Sequence, residues 1–168
     1  MYRCLIANRG EIAVRIIRAC RELNIETVAI YAKGDENSLH VSLADQAICI
    51  GEANPLDSYL NIDRIISAAK VTESNVIHPG YGFLSESTNF AKAVEDNHIH
   101  FIGPSKTTME MMGDKITARQ TVKQAGVPVI PGSNDAVQSV DEIKLLSKEI
   151  GFPVVLKAAS GGGGKGIR

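Results

Sequence analysis

The sequence carries little excess charge of either sign and no long apolar run near its start. Its 168 residues have a formal net charge of −1, whereas proteins that bind nucleic acids or anionic membranes carry a clear basic excess. We therefore expect neither kind of partner. Only a short apolar stretch precedes Asn8, far less than a signal peptide or a membrane span requires. These features predict a cytoplasmic protein.

Cysteine and histidine are scarce and are not spaced for cross-linking or metal binding. The three cysteines, Cys4, Cys20 and Cys49, form no C-x-x-C pair and lie among apolar residues, which predicts buried, unreactive thiols. The four histidines show neither H-x-x-x-H nor H-E-x-x-H spacing, so nothing supports a zinc site. We expect no metal ligands within this chain.

Short β-branched runs alternate with amphipathic stretches over the first hundred residues. The runs predict strands at 3–7, 27–31, 47–50, 75–78 and 100–102. The first helix, 11–23, has an apolar face and a charged face at helical spacing, formed by Ile12, Ile16, Cys20 and Leu23 and by Arg15, Arg18 and Glu22 respectively. Apolar strands separated by helices indicate an α/β fold with a doubly wound, mostly parallel sheet.

The pattern changes near residue 103, which predicts a second domain. Helices are expected at 105–112 and at 114–125, with Asp114 as N-cap and Gly126 as stop. A capping box at Ser139 begins another helix, and a strand is expected at 154–157. We place the boundary so that the domains are 1–112 and 113–168. A glycine loop without a returning strand also predicts that the chain is part of a longer protein.

The glycine run that follows this strand has two interpretations. Without Cβ atoms, the amides of 161–166 can approach a triphosphate closely, but a flexible linker is also compatible with so many glycines. The run is not a Walker A motif, because Ala159 and Gly166 stand where glycine and Ser/Thr are required. It does fit G-x-G-x-x-G, which leaves a nicotinamide-dependent oxidoreductase as an alternative.

A second candidate site is the segment 78–86, His-Pro-Gly-Tyr-Gly-Phe-Leu-Ser-Glu. It follows a predicted strand, and doubly wound sheets bind ligands at the carboxyl ends of their strands. The alternative is a structural turn with a buried Tyr81. Lys115 has a similar ambiguity, since most surface lysines are only solvated.

Four segments together resemble biotin carboxylase: 7–13, 78–86, 112–115 and 157–168. The resemblance covers the whole chain. It implies a pre-ATP-grasp domain followed by the beginning of an ATP-grasp domain. It also implies that ATP, with Mg²⁺ or Mn²⁺, phosphorylates bicarbonate, and that the resulting carboxyphosphate supplies carbon dioxide to biotin on a biotin carboxyl carrier protein. A carboxyltransferase component would then use the carboxybiotin.

The resemblance also assigns roles to residues of this chain. The residues implied to bind ATP are Lys115, Lys157, Gly161, Gly162, Gly163, Gly164 and Lys165. Tyr81 and Glu86 are implied on the side of the biotin pocket. Arg15, Arg18 and Glu22 match positions that bacterial relatives use at a homodimer interface, although a solvated charged face would look the same.

The family's catalytic and magnesium-binding residues, its bicarbonate-binding residues and the arginine that contacts biotin correspond to positions beyond residue 168. We therefore expect the chain alone to be inactive. Acetyl-CoA carboxylase in fatty-acid synthesis is the expected context, but this half-reaction is shared with propionyl-CoA and pyruvate carboxylases. A non-catalytic assembly module is the remaining alternative.

Overall fold

The computed structural model describes residues 2–113, 115–133 and 135–157. The chain divides into two compact units, Met1–Lys106 and Thr107–Arg168. The first unit is an α/β domain, and the described part of the second is helical.

The first unit contains five strands and four α-helices in alternating order. The strands are β1 (Arg3–Ile6), β2 (Glu26–Ala32), β3 (Gln46–Gly51), β4 (Val76–His78) and β5 (His100–Phe101). The helices are α1 (Gly10–Glu22), α2 (Leu39–Leu43), α3 (Ile62–Val71) and α4 (Thr88–Asp96). All strand pairs are parallel, in the order β3-β2-β1-β4-β5. This confirms the predicted doubly wound α/β fold.

The core lies on both faces of β1, the central strand. Cys4, Leu5 and Ile6 are each 0% exposed, and neighbouring residues of a strand point to opposite faces of the sheet. Cys4 and Ile6 form one cluster with residues of α1 that include Ile16 and Ile17. Since Leu5 is equally buried, the opposite face of β1 is covered as well.

One prediction of burial is wrong, and one residue of the predicted apolar face of α1 lies outside the core. Cys49 is exposed, because β3 is an edge strand that pairs only with β2. Leu23 is 70% exposed, since it caps the carboxyl end of α1 after the buried face has ended. The buried thiols are therefore Cys4 and Cys20 only.

The second unit contains the helices α6 (Lys115–Gln124) and α7 (Val140–Ile150), and α5 (Lys106–Gly113) begins at the unit boundary. Gly126 has a φ of +77°, and its N–H and that of Val127 return to the carbonyls of Lys123 and Val122 at 3.0 Å each. This glycine ends α6 as predicted. Asp114, the predicted N-cap of α6, lies outside the described residues.

Ser139 caps α7 as predicted, but the return bond of the capping box goes to the N–H of Gln138 instead of that of Ser139. The Ser139 hydroxyl accepts a hydrogen bond from the Glu142 N–H at 3.2 Å, and the Glu142 carboxylate accepts one from the Gln138 N–H at 2.9 Å. The predicted strand 154–157 is wrong, because only Lys157 forms an isolated bridge. A strand requires a hydrogen-bonded neighbour, and the described part of this unit supplies no ladder for these residues.

Candidate active site

The strand order places the carboxyl ends of β1 and β4 side by side at the centre of the sheet. From β1 the chain continues to β2 on one side, and after β3 it returns to β4 on the other side. The segments that follow β1 and β4 therefore diverge over opposite halves of the sheet. Doubly wound folds bind ligands in the crevice at this point. The 78–86 segment begins here.

Asn8 joins the two diverging segments. It is only 4% exposed, and its Nδ2 donates hydrogen bonds to the carbonyl oxygens of Pro79 and Tyr81 at 2.8 Å each. Its Oδ1 accepts a hydrogen bond from the Arg9 N–H at 2.9 Å. The oxygen and both amide protons thus have partners, which fixes the orientation of the side-chain amide. This arrangement is termed the Asn8 clasp.

Gly80 lies directly against the clasp. Its φ is +67°, and a Cβ at this position would lie 2.8 Å from Asn8 Nδ2. Backbone conformation and lack of space therefore both require glycine. Gly82 has the same φ of +67°, but a Cβ there would meet nothing within 4 Å. Only its conformation favours glycine.

His78, the last residue of β4, stabilises the beginning of the 78–86 segment through its neutral imidazole. Burial lowers the pKa of His78, and its Nδ1 accepts a hydrogen bond from the Gly80 N–H at 3.0 Å. The proton of the neutral ring therefore resides on Nε2. The His78 carbonyl accepts a hydrogen bond from the Ala7 N–H at 2.9 Å, which ties the loop to the end of β1.

A second set of contacts, between aromatic rings and a guanidinium group, holds the 78–86 segment at Phe83. The Tyr59 and Phe83 rings stack with their centroids 5.2 Å apart and their planes 8° from parallel. The Arg9 guanidinium lies over both rings, 5.1 Å from the centroid of Tyr59 and 5.7 Å from that of Phe83. A cation over aromatic faces is attracted by the ring electrons. This group is termed the Arg9 stack.

Asp35, which follows β2, balances the charge of the Arg9 stack. Its Oδ2 accepts hydrogen bonds from Arg9 Nη1 at 3.1 Å and from the Tyr59 hydroxyl at 2.6 Å. Burial alone would raise the pKa of Asp35, but these bonds from Tyr59 and Arg9 outweigh it and hold the pKa below its usual range. Burial, followed by the bond to Asp35, raises the pKa of Tyr59, so the hydroxyl keeps the proton that it donates.

The two residues predicted on the biotin side are both exposed. Tyr81, which is 58% exposed, lies within the loop that the clasp holds. The alternative of a turn with a buried Tyr81 is therefore wrong. Glu86 precedes Ser87, whose hydroxyl caps α4 by accepting a hydrogen bond from the Phe90 N–H at 3.2 Å. Tyr81 is accessible at the carboxyl edge of the sheet, where doubly wound folds place their ligand sites.

The residues predicted to bind ATP belong to the second unit. Lys115 is the first residue of α6. Lys157 is exposed and has no ion-pair partner within the described ranges, so its ammonium group is available to a polyphosphate. The predicted phosphate loop, Gly161, Gly162, Gly163, Gly164 and Lys165, lies outside the described residues.

The three residues of the predicted dimer interface share the exposed side of α1. Arg15, Arg18 and Glu22 are all exposed, whereas the opposite side buries Ala13 and Ile17. None of the three forms an ion pair with another described residue. The charged face is therefore open, and its role in dimerisation stays a prediction.

No helix in the described part of the chain has both the length and the apolar composition needed to cross a membrane. Within residues 2–113, 115–133 and 135–157, no three His, Cys, Asp or Glu side chains come together in a way that could hold a metal ion.

Two family models match the chain in succession. Residues 1–109 match the biotin carboxylase N-terminal domain, and residues 114–168 match the ATP-binding domain of the carbamoyl-phosphate synthase L chain. The fold and these matches define the class: a Rossmann-like α/β domain followed by the ATP-binding domain of a ligase. The chain belongs to the biotin carboxylase family. Nothing in these matches supports the oxidoreductase alternative.

Curated relatives are similar along the whole chain. Biotin carboxylase 1 of Bacillus subtilis is 57% identical over 166 residues, which are 99% of this chain and 37% of that protein. The 2-oxoglutarate carboxylase small subunit of Hydrogenobacter thermophilus is 52% identical over 99% of this chain and 35% of its own length. The chain therefore spans little more than a third of the relatives that it matches.

Solved structures show the same similarity. The biotin carboxylase of Campylobacter jejuni, as its β-γ-ATP complex, has a TM-score of 0.91 and 50% identity over 99% of this chain and 37% of its own. The biotin carboxylase domain dimer of the Hydrogenobacter thermophilus 2-oxoglutarate carboxylase has a TM-score of 0.88 and 52% identity, over 99% of this chain and 36% of its own. That dimer is in complex with MgADP, ADP and bicarbonate.

The sequence indicates the 78–86 segment as a candidate site, but it does not indicate the residues of the Asn8 clasp and the Arg9 stack that hold this segment. Asn8 and Arg9 belong to a segment that carries the family resemblance, yet no role follows from it for either side chain. Asp35 and Tyr59 carried no signal. One clue was available for Asn8, since a polar residue directly after a buried strand needs hydrogen-bond partners.

Proposed function

We propose that this chain forms the front part of a biotin carboxylase, which uses ATP and bicarbonate to carboxylate biotin on a carrier protein. The observation that carries the proposal is the succession of the two family matches, 1–109 and 114–168, in one chain. The exposed Tyr81 at the switch point of the sheet supports it, because this is where a doubly wound domain offers a ligand site.

In the proposed reaction, the γ-phosphoryl group of ATP passes to bicarbonate, which gives ADP and carboxyphosphate. Carboxyphosphate would release carbon dioxide and phosphate. The ureido nitrogen of biotin would then attack the carbon dioxide, and its proton would pass to the released phosphate. Mg²⁺ or Mn²⁺ would accompany ATP and offset part of its charge. Tyr81 would line the biotin pocket, with Glu86 on the same side.

The lysines and the glycine loop of the second unit would hold the nucleotide. Positive charge at Lys115, Lys157 and Lys165 would attract the polyphosphate, and the amides of 161–164 would donate hydrogen bonds to phosphate oxygens as charge shifts. The exposure of Lys157 supports this role. The domain boundary near residue 112 is part of the same proposal.

We propose that the complete protein is a cytoplasmic homodimer whose subunits contact each other through Arg15, Arg18 and Glu22. Its partners would be a biotin carboxyl carrier protein and a carboxyltransferase. The exposure of all three side chains supports the interface. We propose acetyl-CoA as the final acceptor, in fatty-acid synthesis. Several relatives are named as biotin carboxylases without an acceptor, and two competing acceptors are named among the others, 2-oxoglutarate and pyruvate.

A chimera tests the activity directly. In it, this chain replaces the matching part of Bacillus subtilis biotin carboxylase 1 and is followed by the remainder of that enzyme. We expect ATP hydrolysis that requires bicarbonate and yields carboxybiotin from labelled bicarbonate. The Lys157→Ala chimera should need more ATP for half-maximal rate, whereas Lys148→Ala, on an exposed site of α7, should not.

Two outcomes would contradict the proposal. One is a chimera that is folded, and is protected from heat by ATP and Mg²⁺, yet forms no carboxybiotin. The other concerns the expected inactivity of the isolated chain: carboxylation of free biotin by the 168 residues alone, clearly above background, would show that the remaining two thirds are not needed.

A further inference from the structure

We infer that Asn8 is a positioning residue for Tyr81, and that the Asn8 clasp sets how well the enzyme binds biotin. This inference rests on the proposed function, because it takes Tyr81 as a wall of the biotin pocket. It concerns a residue of the first strand-to-helix turn, which is far from Tyr81 in sequence but is bonded to its backbone.

The clasp acts on the backbone at both sides of the Gly80–Tyr81 pair. The Pro79 carbonyl belongs to the peptide unit before Gly80, and the Tyr81 carbonyl belongs to the one after Tyr81. Asn8 Nδ2 lies 2.8 Å from each of these oxygens. The two peptide units on either side of the Gly80–Tyr81 peptide are thereby held to one nitrogen, which fixes the position and direction of the Tyr81 Cα–Cβ bond.

The nitrogen itself has a rigid support. Asn8 follows Ala7, which is 1% exposed at the end of the central strand, and Asn8 is 4% exposed. The bond from the Arg9 N–H to Oδ1 stops the side-chain amide from turning over. Tyr81 is therefore positioned from the core of the sheet, although its own side chain is 58% exposed.

Loss of the clasp should weaken binding more than chemistry. If the loop has to become ordered when ligand binds, the free energy of ordering weakens binding. In the saturated enzyme the loop is already ordered, so the chemical step is little affected. A rise in KM with little change in kcat is the signature of such lost binding. The Arg9 stack continues to hold Phe83 in these variants, so the loop keeps one of its fastenings.

The test uses the chimera described above with Asn8→Ala and Asn8→Asp. The second variant keeps the shape but places a carboxylate oxygen against two carbonyl oxygens. Asn61→Ala is the matched control, because its Oδ1 likewise accepts a backbone hydrogen bond, from the Arg64 N–H at 3.1 Å, as the cap of α3. Thermal melting of each variant shows that it is folded.

We expect both Asn8 variants to raise KM for free biotin about tenfold, which corresponds to about 1.4 kcal/mol. The kcat and the KM for ATP should change less than about twofold, within the scale of a surface substitution. Asn61→Ala should leave KM for biotin unchanged even if it lowers the melting temperature as much. Equal biotin kinetics in the Asn8 and Asn61 variants would overturn the inference.

A second pair of variants tests the clasp if Asn8→Ala does not fold. Gly80→Ala drives a Cβ against Asn8 Nδ2, whereas Gly82→Ala has the same φ and open space. We expect the rise in KM for biotin, and faster amide exchange over 79–85, to be larger for Gly80→Ala. Equal effects would overturn the inference. An unmutated chimera that is folded but inactive with biotin would instead refute the proposed function.

Discussion

The two units of the chain bury their apolar side chains to different extents. In the first unit, Leu5, Ile30 and Phe90 are each 0% exposed. In the described part of the second unit, Ile130 is 83% exposed and Phe152 is 79% exposed. The buried residues described there are only Met109 and Ser147.

This difference separates a unit that forms its own core from a unit whose described residues form helices without a comparable core. In the first unit, helices cover the sheet and both faces of β1 are buried. The apolar side chains of this unit therefore have their packing partners within the unit itself. The helices of the second unit are set by local signals, the Ser139 cap and the Gly126 stop, and still present apolar side chains. Exposed apolar surface of this kind is typical of a region that packs against further structure.

The largest expected effect comes from a cavity in the first unit. Leu5→Ala should lower the free energy of unfolding by about 3 kcal/mol, because Leu5 is fully buried on the central strand. The matched variant Leu145→Ala, at a site that is 68% exposed on α7, should change it by less than about 0.5 kcal/mol. Urea unfolding followed by circular dichroism measures both. Similar losses would mean that the second unit buries Leu145 in solution.

A smaller effect is expected at the loop after β4. Gly80→Ala should lower the free energy of unfolding by about 2 kcal/mol, because strain at a left-handed φ adds to a clash with Asn8. Gly82→Ala should cost only about 1 kcal/mol, from the backbone conformation alone. The same urea titrations give both values. A larger loss at Gly82 than at Gly80 would contradict the clasp geometry.

The smallest effect expected is a pH dependence confined to the first unit, which contains every histidine of the chain. Burial lowers the pKa of His40 and of His78, whereas unfolded histidine has a pKa of about 6.5. The unfolded state therefore binds more protons just below that value. Stability should be complete above about pH 6.5 and should fall as the pH drops towards the native pKa values.

Urea midpoints between about pH 7.5 and pH 5 measure this dependence, a range above the ordinary carboxyl pKa values. His78→Gln should reduce the slope, since it removes one of the two imidazoles whose pKa is lowered in the native state. A flat profile in the unmutated protein would contradict the lowered pKa of both histidines.

Much of the fold could be predicted from the sequence because its signals are local. All five strands of the first unit were found, since β-branched runs bounded by turn residues are short-range patterns. The exposure of Cys49 was missed, because composition does not reveal which strand lies at a sheet edge. The expected strand at 154–157 failed for a related reason: an apolar run becomes a strand only beside a neighbour.

The candidate site could be predicted only in part. The His-Pro-Gly-Tyr-Gly segment was selected by its own residues, whereas Lys157 was selected through the family resemblance, and its role in binding ATP stays a prediction. The Asn8 clasp and the pairing of Arg9 with Asp35 join residues that are distant in sequence. Such partners become visible only once the sheet order is known, because the switch point brings the ends of β1 and β4 together.

The contact between Asn8 and Gly80 also constrains how the two positions can change during evolution. A side chain at position 80 would occupy the space of the Asn8 amide, so a substitution there requires a smaller residue at position 8. Removal of that amide would leave the carbonyls of Pro79 and Tyr81 in need of another donor. A residue other than glycine at position 80 should therefore occur only in family members that also carry a smaller residue at position 8.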